Sequence, residues 1–239
     1  MADLLHRAPA GPPASPKALI APHAGYVYSG PVAATAFATL KAGAPAIARV
    51  ILIGPAHYLP VRGIAVPTAD AFETPLGRVP VDRAALEAIA DLPFVTEADV
   101  PHAPEHALEV ELPFLQTMLG SFTLVPLLVG DAAPQEVAEG LRRLWGGRDT
   151  LIVVSSDLSH YHDYDTARRL DAATAETIER GAFDDLRPGD ACGYLAIAGL
   201  LAAAQPHRLS AHRLALQNSG DTAGDRSRVV GYGAWSFGT

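Results

Sequence analysis

The stretch that decides the fold is Leu151-Ile-Val-Val-Ser-Ser-Asp-Leu-Ser-His160. Its four apolar residues are followed within a few positions by the titratable side chains of Asp157 and His160. Short, unbroken apolar runs are typical of strands buried in an α/β sheet. The same pattern recurs in Ala18-Leu-Ile-Ala-Pro-His23 and in Val50-Ile-Leu-Ile-Gly-Pro-Ala-His57. Ligands of open α/β sheets bind beyond the carboxyl ends of the strands. The three histidines are therefore predicted to converge in one crevice, although a single histidine so placed could also cap a turn.

Strand and helix patterns alternate on both sides of this stretch. The predicted strands are Lys17–Ala21, Arg49–Ile53, Gly63–Val66, Gly77–Pro80, Phe122–Val129, Leu151–Val154, Leu209–Asn218 and Arg228–Ser236. The predicted helices are Gly30–Lys41, Asp82–Ala90, Glu105–Leu119, Pro134–Leu144, Thr166–Glu179 and Ala191–Ala204. The third and fourth strands are expected to form a hairpin-like excursion, and the last two to pair with each other, with antiparallel pairing as one option.

This alternation predicts an α/β fold with a mainly parallel or mixed central sheet, covered by helices on both faces. We expect one domain over residues 18–239, preceded by a Pro-rich N-terminal arm over residues 1–17. Within the arm, the prolines of residues 8–16 exclude a helix or a central strand.

Composition excludes several classes of protein. Hydrophobic residues make up 49% and charged residues 18%, which predicts a large core and argues against global disorder. The net charge of −8, without a basic stripe, argues against nucleic acid and anionic membranes as partners. No signal peptide or membrane-spanning run is recognisable, and the single cysteine excludes an intrachain disulfide. A cytoplasmic location is expected.

The single cysteine, Cys192, lies in Pro188-Gly-Asp-Ala-Cys-Gly193, at the predicted start of a helix that Asp190 would cap. A position at a helix N-terminus is expected to lower the pKa of the thiol, which favours the thiolate needed for metal binding or nucleophilic attack. The alternative is a small apolar side chain facing the core.

Titratable side chains are dense between Pro101 and Glu111. On the predicted helix, Glu109 lies one turn from both Glu105 and His106. Acid–base catalysis and support of a metal ligand are one interpretation, and stabilisation of the helix dipole is the other. Glu111 is expected to be solvated.

Further side chains are candidates for the wall of the crevice. Tyr26 and Tyr28 follow His23 on a glycine-bounded turn and either line a pocket or simply pack. His102 and Glu105 are further candidates for contact with a substrate, and His106 and Glu109 for acid–base catalysis.

His162 competes with His160 as the functional imidazole after the third strand. Walker, GxGxxG, GxSxG and HExxH motifs are absent from the sequence.

Six motifs stand in order along the chain: Pro22-His-Ala-Gly-Tyr26, Gly54-Pro-Ala-His57, Glu105-His-Ala-Leu-Glu-Val-Glu-Leu-Pro-Phe114, Ser155-Ser-Asp-Leu-Ser-His160, Cys192-Gly and Asn218-Ser-Gly-Asp221. In combination they resemble the Memo family, whose bacterial and archaeal members are called AmmeMemoRadiSam system protein B. The resemblance runs from about residue 18 to 235. It departs at the N-terminus, where an Ala-Gly-x-Phe-Tyr-Pro segment is usual, and at Ala56, where serine is frequent.

The resemblance implies a fold similar to that of the class III extradiol dioxygenases, which hold Fe(II) with two histidines and a carboxylate. A cysteine takes the place of the carboxylate in Memo-like proteins. The resemblance thus implies His23, His57 and Cys192 as ligands of Fe(II) or copper, with zinc as a further option. It also implies His160, oriented near Asp157, as the acid–base group.

These features favour a metal-binding protein and, within that class, an iron- or copper-dependent oxidoreductase related to dioxygenases. The alternatives are a non-catalytic metal-binding or adaptor protein that docks a peptide at the same cleft, and a zinc-dependent hydrolase with Asp157 or Glu109 as base. The ligand is expected to be a small molecule or a peptide. The resemblance also implies AMMECR-domain and radical-SAM proteins as partners.

Overall fold

The computed structural model describes residues 1–9 and 16–238. The strands of the described chain are β1 (Ala18–Ala21), β2 (Arg49–Pro55), β3 (Ile64–Val66), β4 (Ala71–Thr74), β5 (Gly77–Pro80), β6 (Val95–Glu97), β7 (Thr123–Val129), β8 (Thr150–Ser155), β9 (His160–His162), β10 (Ser210–Asn218) and β11 (Val229–Gly238). The α-helices are α1 (Ala2–Arg7), α2 (Gly30–Ala38), α3 (Arg83–Glu87), α4 (Leu112–Leu119), α5 (Pro134–Leu144), α6 (Tyr164–Glu179), α7 (Tyr194–Ala204) and α8 (Ser219–Thr222).

A single mixed sheet forms the centre of the fold, in the order β10-β11-β1-β8-β2-β7-β3-β6, with β9 paired to β11. Strands β1, β8, β2 and β7 are parallel to their neighbours in this central part. Towards the edges, β11 is antiparallel to β1 and β10, and β3 is antiparallel to β7 but parallel to β6. The carboxyl ends of β1, β2 and β8 consequently lie side by side, as the strand-end histidines require.

Both faces of the sheet are covered, because side chains alternate between the faces along each strand. In β2, Ile51 and Ile53 point into a core shared with α3, α5, α6 and α7. Val50 and Leu52 point into the opposite core, which α2 and α4 complete. The predicted single α/β domain with a mixed sheet and helices on both faces is confirmed. This architecture is consistent with the extradiol-dioxygenase-like fold that the resemblance implies.

The predicted hairpin is wrong in its pairing. Strand β5 pairs with β4, which the sequence did not predict, whereas β3 joins the main sheet between β7 and β6. Residues 64–66 are fully apolar and buried, so they fit a sheet covered on both faces better than an exposed hairpin.

The helix predicted at Glu105–Leu119 is shorter than expected. A 3₁₀ turn covers Glu109–Glu111 and α4 begins only at Leu112. Pro113 in the first turn of α4 explains this start, because proline has no N–H to continue a helix that arrives from the N-terminal side. The residues before it form turns around the buried carboxylate of Glu105.

The termini of other elements also differ. Helix α7 begins at Tyr194 with Gly193 as its N-cap, so Asp190 does not cap it. The Asp190 carboxylate instead accepts a hydrogen bond from the backbone N–H of Arg187. By contrast, Asp82, the first residue of the predicted helix Asp82–Ala90, is the N-cap of α3 and accepts from the N–H of Ala85.

The N-terminal arm is helical in its first part. Helix α1 packs on α2, and its Leu4 and Leu5 lie against the core. The Pro-rich stretch at residues 8–16, predicted to be neither helix nor central strand, falls mainly on residues 10–15, which lie outside the described residues. No helix in the described part of the chain is long and apolar enough to cross a membrane.

Candidate metal centre

Three donor atoms meet at the carboxyl edge of the sheet. His23 lies two residues beyond β1, His57 two residues beyond β2, and Cys192 just before α7. One ligand atom from each of the three lies within 4.8 Å of the others. His23 is buried, and its Nε2 atom is 3.3 Å from the Cys192 Sγ atom. Two imidazoles and a sulfur atom are a set of donors suited to a transition metal.

Glu105 orients the ring of His57. The Oε1 atom of Glu105 is 2.9 Å from Nδ1 of His57, and Oε2 accepts from the backbone N–H of His57 at 2.6 Å. Burial opposes ionisation, but the hydrogen bonds from the His57 ring and from backbone N–H groups lower the pKa of Glu105 to about 2. An ionised carboxylate only accepts, so Nδ1 carries the proton. The lone pair of the ring is therefore on Nε2, where a metal would bind.

Ser155, the last residue of β8, orients the ring of His23. Its Oγ atom lies 2.7 Å from Nδ1 of His23 and 2.6 Å from the carbonyl oxygen of Ala107. Because the carbonyl can only accept, the hydroxyl proton of Ser155 goes to Ala107 and its oxygen accepts from Nδ1 of His23. His23 thus also presents an unprotonated Nε2, and this atom faces Cys192.

Asp157 fixes the backbone around the centre. Its Oδ1 atom accepts from the backbone N–H of His23 at 2.9 Å, and its own N–H points to Sγ of Cys192 at 3.3 Å. Burial raises the pKa of Asp157 to about 7, against the opposing backbone hydrogen bonds from His23 and Ala24. Asp157 thereby connects the loops that carry two of the three donor atoms.

The thiol of Cys192 does not have the low pKa expected from its position in the sequence. Burial first, and then the charge of Asp157, raise the pKa of Cys192 to about 12. The residue precedes the N-cap of α7, so the helix field is outweighed by desolvation. In the metal-free protein the thiol is neutral, and a metal would have to displace its proton.

Two more histidines border the donor atoms. The ring of His106 stacks on that of His57 at 5.2 Å between centroids and meets His23 edge-on at 5.6 Å. His160 is held by a 2.8 Å hydrogen bond from its Nδ1 to the carbonyl oxygen of Leu158, the residue that follows Asp157. Burial and the neighbouring His57 lower the pKa of His160, although the bond to Leu158 opposes this.

With this geometry in hand, comparison with known proteins identifies the family. The family described as Memo-like protein matches residues 2–236 of the chain. The chain belongs to the Memo-like family. Its relatives include the MEMO1 family protein of Thermotoga neapolitana, 38% identical over 230 residues, covering 91% of this chain and 81% of the relative. The MEMO1 family protein of Nitrosopumilus maritimus is 34% identical over 231 residues, covering 92% and 83%.

A solved structure shares the fold of this Memo-like chain. It is the crystal structure of the uncharacterized protein JW3007 from Escherichia coli, with a TM-score of 0.53. The alignment covers 90% of this chain and 98% of the other, at 16% sequence identity. At this identity the likeness supports the architecture alone.

Other candidate residues of this Memo-like chain lie at the rim or beside the centre. The Tyr26 hydroxyl donates to the carbonyl oxygen of Val110 at 3.0 Å, and Tyr26 and Glu109 line a surface cavity of about 240 Å³. Tyr28 is exposed. His102 is buried and its Nε2 bonds to the carbonyl oxygen of Ala65 at 3.1 Å. Roles in catalysis or substrate binding stay predictions for all four.

Sequence reasoning missed the residues that support the ligands. Ser155 was not predicted; support of a metal ligand was one interpretation of the segment that contains Glu105, but His57 was not named as the residue it supports. The expectation that Glu111 is solvated is wrong, because Glu111 is fully buried. A polar residue at the end of an apolar strand, such as Ser155, is the one signal that could have indicated such a role.

Proposed function

We propose that the chain is a mononuclear metal-dependent oxidoreductase that holds iron or copper through Nε2 of His23, Nε2 of His57 and Sγ of Cys192. One observation carries the proposal: both imidazoles have Nδ1 engaged as a donor, so each has its free lone pair on Nε2, and ligand atoms of His23, His57 and Cys192 lie within 4.8 Å of one another. Iron or copper held by two imidazoles and a thiolate would supply electron-transfer and oxygen chemistry.

His160 is the proposed acid–base residue. Its Nδ1 donates to Leu158, so in the neutral ring Nε2 is free to accept a proton. Burial favours that neutral form, because it lowers the pKa of the imidazole. His160 also interacts electrostatically with both His57 and His23, which fits a proton acceptor beside the ligands.

The first experiment is metal analysis by mass spectrometry on protein purified anaerobically without a metal-affinity step. His57→Ala and Cys192→Ser are compared with His212→Ala, which changes an exposed histidine of β10. We expect near-stoichiometric iron or copper in the unmodified protein and in the control, and loss in the two ligand variants. A protein that takes up neither metal when offered Fe(II) or Cu(I) would contradict the proposal.

A second candidate is a metal-binding protein that docks a peptide at the same cleft. Exposed tyrosines favour it, since Tyr28, Tyr58 and Tyr161 are 45%, 56% and 64% exposed and lie within five residues of His23, His57 and His160. Oxygen-consumption assays with aromatic and thiol substrates separate the two: turnover that is lost in His160→Ala supports the oxidoreductase. Zinc in place of iron or copper, without oxygen uptake, supports the docking protein or the hydrolase.

Protein partners and location in the cell are part of the same proposal. We also propose AMMECR-domain and radical-SAM proteins as partners, as the resemblance of the motifs implies, and a location in the cytoplasm, as expected from the single cysteine. Co-purification from the native cell, with the His57→Ala variant as a comparison, tests whether such partners depend on an intact centre.

A further inference from the structure

Glu111 is a buried acid that the proposed chemistry does not use. It is fully excluded from solvent, and its Oε1 atom lies 3.1 Å from Oγ of Ser155. Its Oε2 atom is also buried and has no hydrogen-bond partner among the described residues. Its nearest partner is a hydroxyl, and no lysine, arginine or histidine of the described chain forms an ion pair with it. A lone carboxylate in such a position is strongly disfavoured, and the group takes up a proton instead.

The hydrogens around Ser155 can be assigned from its three neighbours. These are Nδ1 of His23 at 2.7 Å, the carbonyl oxygen of Ala107 at 2.6 Å and Oε1 of Glu111 at 3.1 Å. A hydroxyl has one proton and two lone pairs. The proton must go to Ala107, because two oxygens at that distance need a hydrogen between them and a carbonyl has none to give. The two lone pairs then accept from His23 and from Glu111.

Only a neutral Glu111 completes this arrangement. Ionised, it would compete with Ala107 for the single proton of Ser155, and one acceptor would stay unpaired. The same conclusion follows from burial, which raises the pKa of Glu111 well above its ordinary value, with a further contribution from Asp157 and an opposing one from Ser155. The carboxyl group therefore acts as a donor, two hydrogen bonds away from Nε2 of His23.

We propose that Glu111 is an uncharged positioning residue for the metal centre, donating to Ser155 and so keeping Ser155 as the acceptor that holds His23 in its Nδ1–H form. The proposal rests on the proposed function only for what the centre does. The hydrogen-bond chain itself belongs to the metal-free protein and can be tested there.

Two substitutions of Glu111 test its hydrogen-bond donor and its side-chain volume separately. Glu111→Gln keeps the size and a donor group without any charge, and Glu111→Met keeps the volume but removes all polarity. Glu87→Gln is the matched control, since Glu87 is an exposed glutamate on α3. Ser155→Ala serves as a second test of the chain if Glu111→Met does not fold, as judged by circular dichroism.

The decisive readout is the tautomer of His23, measured by ¹⁵N-histidine NMR on metal-free protein and assigned with His23→Gln. We expect the Nδ1–H form in the unmodified protein, in Glu111→Gln and in Glu87→Gln. We expect a mixture of tautomers in Glu111→Met and in Ser155→Ala. A merely structural role of Glu111 would leave the tautomer of a folded variant unchanged.

Binding of Co(II) alone provides a second readout. Its affinity is expected to fall about 10-fold or more in Glu111→Met and to stay within about 2-fold in Glu111→Gln, as for other outer-shell partners of metal ligands. If Glu111→Gln loses the tautomer as Glu111→Met does, a charged carboxylate is needed and the proposal is overturned. It is equally overturned if Glu111→Met keeps the tautomer. Failure of the unmodified protein to bind any metal would contradict the proposed function, while the NMR result would still decide the role of Glu111.

Discussion

The two imidazoles of the centre are held in the same tautomer by opposite means. His57 donates to Glu105, an ionised carboxylate that also accepts from the backbone N–H groups of His57, His106 and Ala107. His23 donates to the hydroxyl of Ser155, behind which lies the neutral carboxyl of Glu111. The difference follows from the donors available: a buried carboxylate stays charged where several N–H groups converge on it, and takes up a proton where one hydroxyl is its only neighbour.

This contrast bears on the charge of the whole centre. With a metal bound as proposed, a thiolate from Cys192 and an ionised Glu105 would place two negative charges beside it. A further charge at Glu111, in a fully buried position, would add to the repulsion that Asp157 already exerts on both Cys192 and Glu111. The support of His23 therefore fixes geometry without adding charge, whereas the support of His57 also increases the basicity of its ligand.

The largest effect is expected from removing the charged support. Glu105→Ala leaves four buried or half-buried N–H groups without their acceptor. We expect the free energy of unfolding to fall by about 3–5 kcal/mol, measured by urea denaturation, because unpaired buried donors cost far more than a single hydrogen bond contributes. Glu87→Ala, on the surface of α3, is the control. A loss below about 0.5 kcal/mol, the size of a surface substitution, would mean that water replaces the carboxylate.

The second-largest effect is expected on metal affinity, which should differ between loss of Glu105 and loss of Ser155. Glu105→Gln removes the charge and one of the two acceptor oxygens beside His57, and Ser155→Ala removes the hydroxyl that orients His23; both preserve most of the packing. We expect Co(II) affinity to fall about 10- to 100-fold, with the larger loss in Glu105→Gln, because that change also removes the charge that makes His57 more basic. Competition with a chelator measures both. Equal losses would show that the charge of Glu105 does not matter and that orientation is the common cause.

Sequence alone predicts the crevice and gives support of a ligand as one interpretation of the segment around Glu105, but it does not predict the support from Ser155 and Glu111. The apolar runs that end in His23, His57 and His160 determine the parallel strands and where they end, and both follow from local pattern. Ser155 and Glu111 are 44 residues apart, so their contact depends on the tertiary fold. Charged residues are rarely buried without a partner, which is why Glu111 is expected at the surface. Its burial follows from a helix that begins at Leu112 rather than Glu105, a boundary that sequence patterns determine poorly.

The dependence of stability on pH should show that Glu111 is uncharged in the folded protein. The pKa of Glu111 is raised in the folded protein, so between its ordinary value of 4.5 and that higher value the folded state binds more protons than the unfolded state. Stability should therefore decrease as pH rises through this window, by at most about 1.4 kcal/mol per pH unit for one proton. Glu111→Gln lacks this proton, and its stability relative to the unmodified protein should grow with pH. Urea denaturation at a series of pH values measures the difference, and a constant difference would mean that Glu111 is ionised.

The smallest effect is expected at a third buried acid, Asp171. Its hydrogen-bond support is intermediate between that of ionised Glu105 and that of neutral Glu111. Asp171 of α6 accepts from the backbone N–H of Ser159 at 3.0 Å, in the loop that carries Asp157 and His160. Burial raises the pKa of Asp171 to about 6, against the hydrogen bonds from Ser159, from an ordinary value of 3.8. Stability should decrease between about pH 4 and pH 6 and then level off. Asp171→Asn keeps an acceptor for Ser159 and should remove only this part of the pH dependence. If it also shifts the ¹⁵N signals of His160, the loop depends on the charge of Asp171, and the number of donors no longer explains which acids stay neutral.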